Sequence, residues 1–247
     1  MFDYLLLGVI QGLTEFFPVS SSAHLVIAQH ILGITENGLA ISLVLHLGTI
    51  LALLIFFYKN IFAALKDKRT IFLIAVVTVV TGAIGLLGKD FFEGLFNSIG
   101  DTALQLMATG VILILTVKFM EAKRKEVRFL DALVLGITQA IAIIPGISRS
   151  GITIASLLFR GIDKETAFNL SFIASIPAVI GAALLEFKEV NTALKFEPLN
   201  LGLGFVASLL TGLFSLWVLK LVVLKAKLHY FGYYCIIIAI MTLLFIK

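Results

Sequence analysis

Gly8 to Ala28 reads GVIQGLTEFFPVSSSAHLVIA, and Gly136 to Ala155 reads GITQAIAIIPGISRSGITIA. The two stretches are variants of one phrase. Each opens an apolar run with a glycine and a glutamine three residues on. Each then breaks at a proline (Pro18, Pro145), turns through serines and resumes an apolar run. Proline lacks the N–H a helix interior needs and restricts the residue before it, so each phrase splits into two helical pieces. The pieces are Phe2–Phe17 and Ser20–Leu32 in the first, and Leu130–Ile144 and Ser148–Phe159 in the second. All four are short of the roughly 20 residues a membrane span requires. Two short apolar helices joined at a Pro/Ser/Gly turn read as a re-entrant hairpin that enters and leaves a bilayer on one side. Irregular backbone at that depth must be buried in protein or line a wet cavity.

The composition places these hairpins in a membrane. The chain of 247 residues is 60% hydrophobic and 14% charged, with a mean hydropathy of +1.10. A soluble domain of this size does not carry that balance. The expected class is an all-α integral membrane protein, since helices satisfy their own backbone groups in lipid. The alternating pattern of a β-barrel is absent. The N-terminus has no basic n-region and no A-x-A site, so no cleaved signal peptide is expected. The lone Cys235 excludes an intrachain disulfide. A net charge of +4 reflects topology rather than a nucleic-acid footprint.

Six further apolar segments are long enough to span: Leu39–Phe57, Thr70–Gly88, Thr102–Met120, Thr166–Glu186, Leu199–Leu219 and Tyr230–Ile246. Each half of the chain, 1–122 and 128–247, is then one hairpin followed by three spans. Pro18 and Pro145 lie 127 residues apart (145 − 18). Three is odd, so the halves have opposite orientation, an inverted-topology repeat. This arrangement puts Lys59, Lys66, Lys68, Arg69, Lys118, Lys123, Arg124, Lys125, Arg128, Arg160, Lys164, Lys220, Lys225 and Lys227 on one side. Lys89, Lys188, Lys195 and Lys247 fall on the other, a split of 14 to 4. Basic loops stay cytoplasmic, so both termini face outward from the plasma membrane. The Lys118–Arg128 loop is expected to be a solvated face near anionic lipid.

The polar residues of the hairpins carry the chemistry. Ser20 and Ser148 suit N-caps of the second helical pieces. Helix N-termini carry free N–H groups and about half a positive charge. With Arg149 beside them they make an anion site, and an arginine fork matches phosphate. Gln11 and Glu15 are four residues apart and share a helix face. Glu15 is read as a metal ligand or an acid/base group, with a structural pairing to Arg149 as the plain alternative. The serines and His24 offer a nucleophile and a proton acceptor. His46 is placed as a residue lining the cavity, whereas His30 and His229 read as core or interfacial.

These motifs resemble the two signatures of the undecaprenyl-diphosphate phosphatase, or bacitracin-resistance, family. The first is Glu or Gln, three residues, Glu, then a Pro-Val-Ser-Ser stretch and a histidine, matched by Gln11, Glu15, Ser20, Ser21 and His24. The second is Pro-Gly-x-Ser-Arg-Ser-x-x-Thr, matched by Pro145, Gly146, Ser148, Arg149, Ser150 and Thr153. The resemblance implies a membrane enzyme that hydrolyses a polyprenyl diphosphate to the monophosphate at the outer face. Such an enzyme recycles the lipid carrier of peptidoglycan synthesis and confers bacitracin resistance. It also implies a divalent cation, Mg²⁺ or Ca²⁺. Gln11 stands where many members have glutamate, so Glu15, with Gln11 as a weaker partner, is the implied metal site. On this reading Ser21 is the nucleophile, His24 assists proton transfer, and Ser20, Ser22, Ser148, Arg149, Ser150 and Thr153 hold the phosphates. The competing reading is a polyprenyl-phosphate flippase or small-anion transporter built on the same cleft, and a lipid-binding scaffold is a third. A homodimer is compatible with all three.

Overall fold

The computed structural model describes residues 2–34, 38–88, 91–92, 94–96, 99–185 and 197–245. Lys89, Lys188, Lys195 and Lys247, the sparse side of the basic-residue split, lie outside the described residues, as do Glu186 and Ile246. Among the described residues the chain is helical, without a strand. The helices are α1 (Phe2–Phe16), α2 (Ser21–Ile31), α3 (Gly38–Phe56), α4 (Tyr58–Ala64), α5 (Lys68–Leu87), α6 (Ile99–Leu115), α7 (Phe129–Ile141), α8 (Arg149–Phe159), α9 (Lys164–Leu185), α10 (Pro198–Leu224) and α11 (His229–Phe245).

Four segments are long and apolar enough to cross a bilayer: Lys68–Leu87, Ile99–Phe119, Lys164–Leu185 and Pro198–Leu224. The expected first span, Leu39–Phe57, corresponds to α3, which ends in a 68° bend onto the short α4. The break falls at Phe57, a buried ring packed against Phe56, Phe168 and Phe172. The last apolar helix, α11, has 17 described residues. Helix α10 starts earlier and ends later than expected, at 27 residues. Pro198 stands in its first turn, where the missing N–H costs nothing. The four expected short helical pieces appear as α1, α2, α7 and α8, with breaks after Phe16 and Ile141.

The distribution of side chains is that of a multi-pass membrane protein. Large apolar residues face outward, with Leu87 at 90% exposure and Val79 at 69%. The interior, by contrast, holds Gln11, Thr49, Thr81, Ser171, Ser208 and Ser215 beside its Leu and Phe core. Lipid tails offer helices no hydrophobic reason to associate. Membrane helices pack instead through small residues and hydrogen bonds between helices.

That logic fixes where the hairpins sit. Helix α1 lies along α10: Ser215 Oγ donates to the Gly12 carbonyl at 2.7 Å, and a Cβ on Gly8 would stand 2.9 Å from the Ala207 Cβ. Helix α7 lies along α5 in the same manner. Thr81 Oγ1 donates to the Gly136 carbonyl at 3.0 Å, and a Cβ on Gly136 would stand 2.8 Å from the Val80 Cβ. The first helix of each half therefore packs on a long helix of the other half, and the halves interleave.

One feature at the basic end differs from expectation. The Lys118–Arg128 loop is not only a solvated face. Arg124 forks onto Asp131 at 2.6 and 3.0 Å, and Arg160 Nε donates to the same carboxylate at 2.9 Å. Asp131 is fully buried. The main chain of Arg124 also bridges to Gly161 and Asp163. A buried carboxylate holds only with such partners, and this one ties the loop to the start of α7 and the end of α8.

Candidate functional site

The site forms where the two hairpin tips abut. Ser20 caps α2, its hydroxyl accepting from the Ala23 N–H at 3.5 Å and lying 3.1 Å from Ser22 Oγ. Ser148 caps α8 alike, accepting from the Gly151 N–H at 3.2 Å and lying 3.3 Å from Ser150 Oγ. Thr109 of α6 holds the second turn, donating to the Gly146 carbonyl and accepting from the Ser148 N–H, both at 3.0 Å. Gly146 sits at φ +86°, where a side chain is strained. A Cβ on Gly151 would lie 3.2 Å from the Pro18 Cβ, so the tip of one hairpin meets the helix start of the other. Each capped start contributes partial positive charge to the junction.

Glu15 is the hub of that junction. Its Oε1 pairs with Arg149 Nη2. Its Oε2 accepts from Ser21 Oγ at 2.7 Å and from Gln11 Nε2 at 3.1 Å. The same Gln11 amide lies 3.2 Å from His46 Nδ1, and His46 Nδ1 is 3.5 Å from Glu15 Oε2. Two buried atoms in the cluster have no partner: Arg149 Nη1 and Gln11 Oε1. A buried polar group without a partner is costly, and here one donor and one acceptor stand ready beside a carboxylate. The plain alternative for Glu15, pairing with Arg149, is thus realised, but the pair uses only one nitrogen of the fork.

Expected roles and observed positions differ at two residues. His24 does not meet Ser21, despite the helical spacing of three. Its Nδ1 lies 2.8 Å from the Ser20 carbonyl, and its Nε2 lies 2.8 Å from the Tyr234 hydroxyl of α11. A carbonyl only accepts, so Nδ1 carries the proton, and in the neutral ring Nε2 accepts from the phenol. Thr153 is turned into the bundle, its hydroxyl 2.6 Å from both the Arg149 carbonyl and Ser171 Oγ. It supports the turn behind Arg149 rather than presenting a hydroxyl at the junction. Gln11, Glu15, Ser21, Arg149 and His46 do converge, and Ser20, Ser22, Ser148 and Ser150 flank them in two hydroxyl pairs. Tyr234 and Thr109 carried no local sign in the sequence, since each acts through a contact made only in the fold.

Among the described residues no three His, Cys, Asp or Glu side chains come together as a metal cluster. A cation here would rest on Glu15, the unpartnered Gln11 Oε1 and the oxygens of a bound phosphate. That donor set fits a hard cation, which takes one or two protein oxygens and completes its shell from substrate and water.

Buried between helix N-termini in an apolar, multi-pass bundle, a carboxylate, a guanidinium and a serine define a membrane protein built to handle an anionic head group. The chain belongs to the family described as bacitracin resistance protein BacA, which matches residues 4–241. A relative from Halothermothrix orenii is 39% identical over 252 residues, covering 99% of this chain and 97% of its own. One from Carboxydothermus hydrogenoformans is 42% identical over 250 residues, covering 98% and 96%. One from Methanosphaera stadtmanae is 38% identical over 266 residues, covering 97% and 96%. All three carry the name undecaprenyl-diphosphatase.

Proposed function

We propose that this protein hydrolyses a polyprenyl diphosphate of the undecaprenyl type to the monophosphate and inorganic phosphate. The observation that carries the reading is the chain Ser21 Oγ–Glu15–Arg149, with Arg149 Nη1 unpartnered beside it. A flippase needs the anion site but has no use for a hydroxyl held on a carboxylate.

The terminal phosphate docks on Arg149 Nη1 and the N–H groups at the starts of α2 and α8. The prenyl tail stays against the apolar exterior. Ser21 Oγ attacks the terminal phosphorus as Glu15 takes its proton. The bridging P–O bond breaks, and the polyprenyl monophosphate leaves with that proton. Water then attacks the phosphoserine, gives a proton to Glu15, and inorganic phosphate departs as Ser21 regains its hydrogen. Charge neutralisation and positioning account for most of the acceleration in phosphoryl transfer. Glu15 and Gln11 Oε1 would be the residues to hold a divalent cation, which would supply further charge neutralisation. His24 orients the Ser20–Ser21 turn, and Ser148 and Ser150 shape the opposite wall.

The architecture is read as two re-entrant hairpins within an inverted repeat of six spans. The matching caps at Ser20 and Ser148, the interleaved packing of α1 on α10 and of α7 on α5, and the basic cluster around Asp131 support it. Both termini and the cleft then face outward.

The test is phosphate release from undecaprenyl diphosphate by the purified protein, with and without a chelator. The expected result is release that the chelator suppresses and added Mg²⁺ or Ca²⁺ restores. No release with any cation would refute the reading, and release indifferent to chelation would remove the cation from it.

A further inference from the structure

Ser20, the residue before the proposed nucleophile, has φ +66° and ψ 98°. Positive φ is costly for a residue with a Cβ, and such strain persists only where neighbours over-determine it. The neighbours here come from α11, at the far end of the chain. Phe231 packs its ring on Phe17, with centroids 5.1 Å apart. Cys235 Sγ donates to the Pro18 carbonyl at 3.5 Å. Between them Tyr234 stacks on His24, with centroids 5.7 Å apart and planes within 8°, and donates its hydroxyl to His24 Nε2 at 2.8 Å. His24 in turn donates its Nδ1–H to the Ser20 carbonyl at 2.8 Å. Three contacts from successive turns of one helix thus converge on the four-residue turn, Phe17–Ser20, that presents Ser21.

We propose that Tyr234 is a positioning residue for the phosphatase reaction: through His24 it fixes the Ser20 carbonyl, and so holds Ser21 Oγ on Glu15. The inference rests on the serine-phosphatase reading above. The Ser20 carbonyl requires Nδ1–H, and the hydroxyl, donating to the free Nε2, secures that tautomer. The stacked ring sets the plane in which that tautomer meets Ser20. Tyr234 is at the mouth of the site, 40% exposed, but its hydroxyl points inward to the imidazole. A tyrosine serving only as an interfacial anchor would turn the hydroxyl to head groups. Ser21 sits one bond beyond the fixed carbonyl, so loss of the clamp displaces the attacking oxygen while the phosphate cradle at Arg149 is untouched.

Tyr234→Phe is the informative variant, because it keeps the ring and its stacking. Its kcat should fall roughly 10-fold, the worth of one orienting hydrogen bond, with KM within about twofold of the wild type. In a His24→Ala background the same change should add nothing, because the clamp acts through the imidazole. The ¹⁵N spectrum of histidine-labelled protein reads the clamp without turnover. Wild type should show an Nδ1-protonated signal that disappears in His24→Ala and moves toward a tautomer mixture in Tyr234→Phe. An unchanged His24 signal in Tyr234→Phe, or a kcat equal to wild type, overturns the proposal. An equal loss in both backgrounds would mean Tyr234 acts on its own and also overturns it. A wild-type protein that releases no phosphate refutes the phosphatase reading instead, and the nitrogen spectrum still decides the clamp.

Discussion

Replacing Glu15 with glutamine separates the two things its carboxylate can do. The variant keeps the shape of the side chain and one oxygen for Ser21 or Gln11. It removes the counter-charge of Arg149 and the only carboxylate within reach of Ser21 Oγ among the described residues. Removing one partner of a buried pair costs about 3–5 kcal/mol. Arg149 retains 19% side-chain exposure, which allows water to its fork, so the lower end of that range applies. A fold with a stability of about 5–15 kcal/mol survives the loss. Activity should not survive equally well. Losing the proton acceptor for the attacking hydroxyl costs about 10²- to 10⁴-fold. The assay is phosphate release normalised to the protein that elutes as a monodisperse peak, with a thermal melt beside it. If Glu15 were only a structural counter-ion, the folded fraction would turn over at nearly the wild-type rate. Glu15→Gln/Arg149→Met would then recover stability by removing the stranded charge, and it still should not recover turnover. More than about one-tenth of wild-type turnover per folded Glu15→Gln molecule would refute the assignment of Glu15 as the base.

Arg149→Lys should lose about 10²- to 10³-fold in kcat, because one ammonium cannot hold Glu15 and reach the phosphate as a fork does; steady-state turnover within tenfold of wild type would reduce Arg149 to a diffuse charge. Lys125→Cys should resist an impermeant thiol reagent in intact cells and react once the membrane is opened. Cys235 is buried and should remain silent, so rapid labelling from outside would reverse the proposed orientation.

Much of the junction was legible in the sequence because its causes are local. Proline after an apolar run ends a helix, and serine at the next start caps one, so both turns were placed from Pro18, Ser20, Pro145 and Ser148 alone. The four-residue spacing put Gln11 on the face of Glu15, as found at 3.1 Å. The same kind of spacing misplaced His24. Helical periodicity brings His24 near Ser21, but the carbonyl of Ser20 and the phenol of Tyr234, 210 residues away, satisfy both ring nitrogens first. Ser21 turns instead to Glu15, six residues earlier, because the chain doubles back through Pro18. The 68° bend from α3 into α4 has a tertiary reason, the aromatic cluster of Phe57 with Phe168 and Phe172, which no window of hydropathy contains. Asp131 at the start of α7 likewise owes its burial to Arg124 and Arg160, which reach it from outside that helix.

The central claim is that Ser21 Oγ is the attacking atom, and covalent trapping tests it most directly. Undecaprenyl diphosphate labelled with ³²P in its terminal phosphate should be mixed with enzyme, quenched in acid within a turnover and digested. The account predicts label on a phosphoserine at Ser21, absent from Ser21→Ala, which should in turn retain no measurable turnover. Rapid phosphate release by wild type with no label on the protein, and a Ser21→Ala variant that still turns over at a few per cent, would contradict it and make water the attacking group.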